Sequence, residues 1–233
     1  AYAGTTNVNN GTLEGTTAVL TGTTNVTAPG SLLINQNDNG TFTGTITGNG
    51  TVQKTGSGVV TMGNQAYTGT TNIDQGALLI NGTNANVNVA SGAALSGNTT
   101  LTTGNLTNNG LLAPGSSGIG TTSVGGNYVS TGTSTTQIEI NNAGTTPGVN
   151  NDRITATGTA NVGGAVQVFG NGLSYSSGTS YTFVQSTGAR SGTYSSVTDD
   201  LDFFNATLVY GANSVGFILN RDTSGFDDAA TTP

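Results

Sequence analysis

The amino-acid sequence predicts an all-β chain folded as a parallel β-helix, a solenoid in which short strands stack coil upon coil. Three observations predict this fold. Helix-forming residues are scarce, one phrase recurs with a period of about 20 residues, and polar and apolar residues alternate inside the repeats. Short strands joined by glycine- and asparagine-rich corners account for all three.

The composition disfavours helices. The 233 residues include 38 glycines, no cysteine and no histidine, and only 6% of them are charged. Glycine loses backbone entropy in a helix, and asparagine and threonine side chains compete for backbone hydrogen bonds. The apolar residues nevertheless recur at regular places, an order that disordered chains lack.

The charge pattern excludes nucleic acid as a partner. The net charge is −7, and the basic residues are Lys54, Arg153, Arg190 and Arg221. Nucleic-acid binding requires several clustered cations that displace counterions. No apolar run is long enough to predict a membrane helix, and no signal peptide is visible at the start. If the protein is exported, as the absence of cysteine permits, its targeting segments are expected elsewhere.

The recurring phrase is Gly-Thr-Thr-Asn-Val/Ile, followed by a glycine and then a leucine. It begins at Gly4, Gly22 and Gly69, with shorter echoes from Asn86 and Asn105. The glycines that follow the phrase and its echoes are Gly11, Gly30, Gly76, Gly92 and Gly110. Three of their four spacings are similar, and the gap from Gly30 to Gly76 is more than twice as long. We expect that gap to hold two coils, since a regular period of this size is typical of a solenoid.

Alternation inside the repeats predicts half-buried strands. Residues 41–47 place threonines outward and Phe42, Gly44 and Ile46 inward, and Val87 and Val89 alternate in the same way. A leucine-rich repeat requires a denser leucine framework than this sequence has. The pattern therefore favours a β-helix over other solenoids.

The corners and the ends follow from elementary energetics. Glycine and asparagine tolerate positive φ, so we expect both to supply it at the corners. Ordering the backbone of one coil costs about 1–2 kcal/mol per residue, more than its few inward aliphatic side chains recover. Coils therefore need neighbours, and the ends of the stack need caps.

Residues 51–82 read TVQKTGSGVVTMGNQAYTGTTNIDQGALLING. This segment resembles the passenger-associated transport repeat of bacterial autotransporters, whose pattern is K-T-G-x-G-x-[LV]-T-[LM]-x-G, then Y-T-G-x-T-x-[IV], then G-x-L. The matching positions include Lys54, Gly56, Gly58, Tyr67 and Gly76. Asn64 stands where the pattern has a glycine, which alters the turn before Tyr67.

The second half carries another resemblance. From Gly110 to Arg221 the order of motifs, including residues 138–140, 151–154 and 192–194, is similar to the autochaperone region at the C-terminal end of autotransporter passengers. One departure is the segment 122–124, Thr-Ser-Val, where the family more often has an apolar residue at the first or second position. Aromatic residues are concentrated in the last part of this region, and they are Tyr175, Tyr181, Phe183, Tyr194, Phe203, Phe204, Tyr210 and Phe217.

These resemblances imply a right-handed parallel β-helix with a C-terminal autochaperone cap. Residues 1–109 are then the shaft, 110–222 the autochaperone end, and 223–233 the start of a linker toward an outer-membrane β-barrel. The family passes its passenger through that barrel, C-terminus first, by type V secretion. The implied location is the surface of a Gram-negative bacterium or its surroundings, and the implied partners are the chain's own barrel and a host or cell-surface ligand. We expect a monomer.

Three functions remain open from the sequence. The preferred one is a structural surface stalk whose C-terminal region nucleates folding during secretion. The second is an adhesin that binds host or neighbouring cells and contributes to virulence. The third is a polysaccharide-active β-helix, which requires two carboxylates facing each other in a cleft.

No enzyme activity is expected, and no catalytic, cofactor-binding or metal-binding residue is predicted. A Ser–Lys pair would need Lys54, the only lysine, which lies inside the transport repeat. Asp199, Asp200 and Asp202 lack the ligand spacing of a calcium loop, so they predict a solvated loop. The other carboxylates are dispersed along the sequence, and they are Glu14, Asp38, Asp74, Glu139 and Asp152.

Overall fold

The computed structural model describes residues 4–83, 85–115, 117–172 and 174–222 of the chain. These residues form 27 β-strands and no helix, which confirms the all-β prediction. The predicted linker at 223–233 lies outside the described residues.

The strands are short and evenly distributed along the chain. In order they are β1 (Thr5–Val8), β2 (Thr12–Gly15), β3 (Thr23–Val26), β4 (Ser31–Asn35), β5 (Gly40–Phe42), β6 (Thr45–Gly48), β7 (Thr51–Thr55), β8 (Val59–Met62), β9 (Thr70–Ile73), β10 (Ala77–Ile80), β11 (Gly82–Thr83), β12 (Asn86–Val89), β13 (Ala94–Gly97), β14 (Thr100–Leu101), β15 (Leu106–Asn108), β16 (Leu111–Pro114), β17 (Thr121–Val124), β18 (Tyr128–Ser130), β19 (Thr135–Ile140), β20 (Arg153–Ala156), β21 (Ala160–Val162), β22 (Ala165–Gly170), β23 (Ser180–Ser186), β24 (Arg190–Gly192), β25 (Ser196–Asp199), β26 (Phe204–Tyr210) and β27 (Ser214–Arg221).

Three faces run along the solenoid. Face 1 is a nine-stranded sheet in the order β2-β4-β7-β9-β12-β15-β18-β21-β24, and face 2 is an eight-stranded sheet from β5 to β25. Face 3 consists of a three-stranded sheet, β1-β3-β6, and a seven-stranded sheet, β11-β14-β17-β20-β23-β27-β26. The strand pairings among the described residues are parallel except those made by β27. The predicted parallel β-helix is therefore the observed fold.

The coil length changes along the chain. In the first half Leu32 pairs with Val52 and Val87 pairs with Leu106, so one coil there contains about 20 residues, as the repeat predicts. Tyr128, in contrast, pairs with Ala160, and that coil is more than half as long again. The predicted period therefore describes the first half of the chain but not the last coils.

The recurring phrase does not keep to one face. Its first two copies form β1 and β3 on face 3, but the third copy forms β9 on face 1. The long gap does hold two coils, counted on face 1 from β4 to β7 and from β7 to β9. In addition, the third copy of the phrase lies one face further along the coil than the first two copies. The phrase therefore specifies a strand, a corner and a second strand, and it can begin on face 3 or on face 1.

Inward side chains stack in register from coil to coil. The alternation predicted at 41–47 is observed, with Phe42, Gly44 and Ile46 buried and the threonines outside. On face 2 the aligned inward residues are Val60, Leu78, Leu95 and Leu112. On face 1 the aligned inward residues are Leu32, Val52, Thr71, Val87, Leu106 and Tyr128. One continuous core therefore runs the length of the described chain.

Glycines make the corners, but asparagines act differently from the prediction. Gly11 and Gly76 have positive φ, whereas Gly30 is needed for space, because a Cβ there would lie 2.2 Å from the Val8 carbonyl oxygen. No described residue other than glycine has positive φ, so the expectation that asparagine supplies it is wrong for this part of the chain.

Asparagines instead form a ladder at the corner before face 1. The Asn86 side-chain oxygen accepts the Asn105 N–H at 2.9 Å, and the Asn105 oxygen accepts the Asn127 N–H at 2.7 Å. The Asn127 oxygen accepts the Thr159 N–H at 2.8 Å. Each carboxamide thus satisfies a backbone donor of the next coil, where no strand bond is available.

Candidate functional site

An antiparallel hairpin closes the C-terminal end of the solenoid. Strands β26 and β27 pair over seven residues, and β27 also pairs antiparallel with β23 on face 3. Parallel coils alone always leave free strand edges, which invite further pairing. Face 3 therefore ends in an antiparallel hairpin, with β26 as its last strand, and not in a parallel strand of a further coil.

Aromatic rings fill the core beneath the hairpin. The Phe217 ring centroid lies 5.4 Å from that of Tyr181 and 6.1 Å from that of Phe183, and the Phe183 centroid lies 5.9 Å from that of Tyr194. All four side chains are buried. Tilted ring pairs at these distances contribute about 0.5–1.5 kcal/mol each beyond their buried area. The four rings are called the cap cluster below.

The hairpin also covers the last strands of the other two faces. On face 1 the Arg190 Nε donates to the Gly211 carbonyl at 3.0 Å, and its guanidinium carbon lies 4.9 Å from the Tyr210 ring centroid. On face 2 the Asp199 Oδ2 accepts the Ala206 N–H at 2.9 Å. All three faces therefore end in contact with residues 204–221.

The acidic group predicted as a solvated loop has a structural role as well. Asp200 and Asp202 are exposed, as expected, but Asp200 Oδ1 accepts the Gly170 N–H at 2.7 Å and Asp199 bonds the backbone of β26. Among the described residues no group of three or more acidic, histidine or cysteine side chains is arranged to hold a metal ion.

A cleft of about 360 Å³ opens beside these aspartates. Its walls include Tyr175, Leu201, Phe203 and Arg221, together with Asp200 and Asp202. The Phe203 side chain is 58% exposed. The cleft thus combines an aromatic wall with charges of both signs at the C-terminal end.

Lys54 lies inside the solenoid. Lys54 is 1% exposed and stacks between Ile34 and Ile73 on face 1. Its Nζ donates to the carbonyls of Thr55 at 2.8 Å, Gly56 at 2.7 Å and Gln75 at 3.1 Å. Burial lowers the pKa of Lys54.

Those three bonds define what Lys54 does. An ammonium group has three donors, and backbone carbonyls of two successive coils accept all of them. The side chain therefore joins corners of adjacent coils from within, and as an ammonium with all three N–H groups bonded it has no lone pair that could accept the proton of a serine.

The turn at residues 63–69 connects the two sheets of face 3. Residues 63–69 form no strand there, and the Gln65 side chain takes the place of one. Its Oε1 accepts the Ile46 N–H at 2.8 Å from the coil below, and its backbone N–H donates to the Gly82 carbonyl at 2.9 Å in the coil above. Tyr67 is buried beside it, bonded to the Thr71 hydroxyl, and burial raises the pKa of Tyr67.

The dispersed carboxylates come together only in part. Asp38 and Asp74 lie exposed, and the Glu14 carboxylate accepts the Asn35 side-chain N–H. Glu139 in β19 and Asp152, the residue before β20, interact electrostatically. Asp152 is 1% exposed and both of its oxygens accept backbone N–H groups, so this pair does not form the open cleft that a polysaccharide-active β-helix requires.

The architecture defines the chain as a parallel β-helix protein with an antiparallel C-terminal cap. No protein-family model matches the sequence, and no curated protein is significantly similar to it. Within the part of the chain that the structure describes, no helix is long and apolar enough to cross a membrane.

Proposed function

We propose that the chain is a C-terminal passenger fragment of a bacterial autotransporter, a surface stalk whose residues 110–222 start the folding of the coils before them. The proposal includes export to the surface of a Gram-negative cell and partnership with the chain's own outer-membrane β-barrel. It rests on the resemblance of residues 51–82 and 110–222 to the family and on the architecture of the C-terminal end.

The single observation that carries the proposal is the hairpin that packs on the cap cluster. Strand β26 ends at Tyr210 and β27 begins at Ser214, so their pairing closes a short loop, whereas every parallel pair joins strands a whole coil apart. Loop closure costs entropy that grows with length, so the local hairpin forms before the parallel pairs. The edge of β27 is then available for pairing with β23 of the preceding coil, and the rings beneath the hairpin are available for packing.

Two matched core substitutions test this order of folding. Ile80 lies in the first half and Ile138 in the second, and each side chain is buried with an apolar neighbour in register, Met62 and Val168 respectively. An aspartate at either position buries a charge, which costs several kcal/mol. We expect Ile138→Asp to abolish refolding of the whole chain and surface display of the full-length protein. Ile80→Asp should leave 110–222 able to fold.

Hydrogen exchange during refolding from urea is the measurement. In the wild type, amides in 110–222 should become protected before those in 4–100, and Ile80→Asp should retain protection in 110–222. Earlier protection of 4–100, or a folded first half in Ile138→Asp, would show that nucleation does not begin at the C-terminal end.

The second candidate is an adhesin, and the cleft beside Phe203 is the observation that favours it. An exposed aromatic side chain next to carboxylate and guanidinium groups is typical of a binding surface. A stalk can carry such a surface, so the two functions are compatible on one chain.

A further inference from the structure

Strands β19 and β20 are joined by a long excursion whose neck is a pair of acidic residues. The Asp152 N–H donates to the Glu139 carbonyl at 2.9 Å, and the Glu139 N–H donates to Asp152 Oδ2 at 2.8 Å. Beyond this pair the Asn141 N–H donates to the Asn150 carbonyl at 2.8 Å. Residues 141–151 therefore leave the coil as a hairpin-like loop closed at its base.

The same carboxyl group attaches the neck to the coil below. Asp152 Oδ1 accepts the Gly120 N–H at 2.7 Å, at the corner that precedes β17. Gly120 belongs to the preceding coil, so this bond crosses between coils. One buried side chain thus holds both the base of the excursion and the adjoining corner.

The groups that surround Asp152 leave its charge poorly compensated. Glu139 is the charged neighbour, and its Oε2 is buried without a hydrogen-bond partner among the described residues. Arg153 follows in the chain, and its aliphatic stem lies near Gly148. From the coil above, the Tyr175 and Tyr181 hydroxyls donate to carbonyls of the excursion, at 3.1 Å to Ile140 and at 3.0 Å to Asn141.

Burial therefore works against ionisation of the pair. Desolvation raises the pKa of Asp152 to about 7, the two backbone N–H bonds oppose this shift, and the Glu139 charge adds to it. Desolvation raises the pKa of Glu139 as well. Asp152 is buried and Glu139 is half-buried, so ionising both carboxyl groups carries a desolvation cost.

We propose that Glu139 and Asp152 form a proton-operated latch, which holds the excursion 141–151 against the corner at Gly120 while one carboxyl is protonated and releases it when both are ionised. The latch is a property of this chain and does not depend on the proposed secretion function. Its sign follows from linkage. The folded state binds more protons than the unfolded state between the ordinary pKa of aspartate and about 7, so stability falls as pH rises through that window.

Hydrogen exchange of the intact chain measures the latch directly. The Gly120 and Glu139 amides donate to Asp152, whereas the Thr135 amide donates to the Gly110 carbonyl at 2.8 Å. After correction for intrinsic exchange, we expect protection of the first two amides to fall about tenfold or more between about pH 5.5 and about pH 8.5. Protection of Thr135 should change far less.

Two variants and a control separate the latch from general instability. Glu139→Gln keeps the shape but removes one charge, so the loss of protection at alkaline pH should shrink. Asp152→Asn should make protection of Gly120 independent of pH. Glu14→Gln, the same chemical change on the exposed side of β2, should behave as the wild type.

A carboxyl titration by nuclear magnetic resonance keeps the test decisive if Asp152→Asn does not fold. The wild-type Asp152 carboxyl should titrate near pH 7, and in Glu139→Gln it should titrate at a lower pH. Titration of the wild-type carboxyl below about pH 5, or an unchanged alkaline loss of protection in Glu139→Gln, would overturn the proposal.

Discussion

The two halves of the described chain are built differently. In the first half each coil adds one more layer of parallel strands, and the aliphatic core continues from coil to coil. At the C-terminal end one antiparallel hairpin contacts all three faces and covers a cluster of rings. The difference shows that repetition builds length, whereas ending the solenoid requires a change of strand direction.

The same contrast appears in how the two halves use buried polar groups. Lys54 and Gln65 in the first half each bond backbone groups of two successive coils, so they join layers. In the second half Asp152 fixes an excursion that makes its coil longer than those of the shaft. Polar groups therefore connect coils in both halves, and near the cap one of them also closes an excursion within a single coil.

The largest expected effect comes from removing a ring of the cap cluster. Phe217→Ala should lower the free energy of unfolding by about 3–5 kcal/mol, because it removes a fully buried ring in contact with two others. If the C-terminal end stabilises the coils before it, the loss should spread through the whole chain. Hydrogen exchange in increasing urea, followed segment by segment, measures that spread.

The matched control is Phe42→Ala in the shaft. Phe42 is also buried, so the chemical loss is similar. Solenoid coils contact only their neighbours, so this loss should remain within the first few coils. Equal spread of the two effects, or a wider spread from Phe42→Ala, would remove the distinction between the halves.

An intermediate effect is expected at the joint within face 3. Gln65→Leu preserves side-chain bulk but removes the acceptor of the Ile46 N–H, so that a buried donor loses its partner. The cost of such a donor is about 1–3 kcal/mol. Thermal unfolding should show this loss, whereas Gln53→Leu, on the outward side of β7, should change stability by less than about 0.5 kcal/mol. Equal losses in the two variants would mean that Gln65 does not join the two sheets.

The sequence predicts the fold through local rules and misses contacts that arise only between coils. Residues 41–47 span the end of β5, a corner and the start of β6, and the alternation continues through that corner, so inward Phe42 and Ile46 are predicted correctly although the corner between them is not. The Asn86–Asn105–Asn127 ladder is not predicted. The sequence suggested that asparagines adopt positive φ at corners, whereas each of these side chains accepts a backbone N–H of the next coil. The period alone also does not reveal that the recurring phrase moves from face 3 to face 1.

The acidic latch is invisible in the sequence for a related reason. Glu139 and Asp152 appear as two dispersed carboxylates, and only the excursion between them brings their backbones together. The signal available was the long non-repeating stretch 141–151 between two strand-like segments. Such a stretch indicates a loop with closed ends, but it does not tell which side chains close it.

The smallest expected effect comes from one buried hydroxyl group in the second half. Thr122 is buried on face 3 and pairs with Ile154, which in turn pairs with Val184. Its hydroxyl has no hydrogen-bond partner among the described residues. Thr122→Val keeps the shape and removes that hydroxyl. It should therefore raise the free energy of unfolding by about 1 kcal/mol, or the Tm by about 2–4 °C.

Thr136→Val is the control for this last change. Thr136 is equally buried, but its hydroxyl lies 3.4 Å from the Tyr128 hydroxyl, so the same substitution there removes a hydrogen bond. We expect it to leave the Tm unchanged or lower it. If Thr122→Val is instead as destabilising as Thr136→Val, then a bound water satisfies Thr122, and the second half contains no such defect. A gain at Thr122 alone would show that the stack beneath the hairpin contains an unsatisfied hydroxyl, which an apolar side chain of the same shape improves.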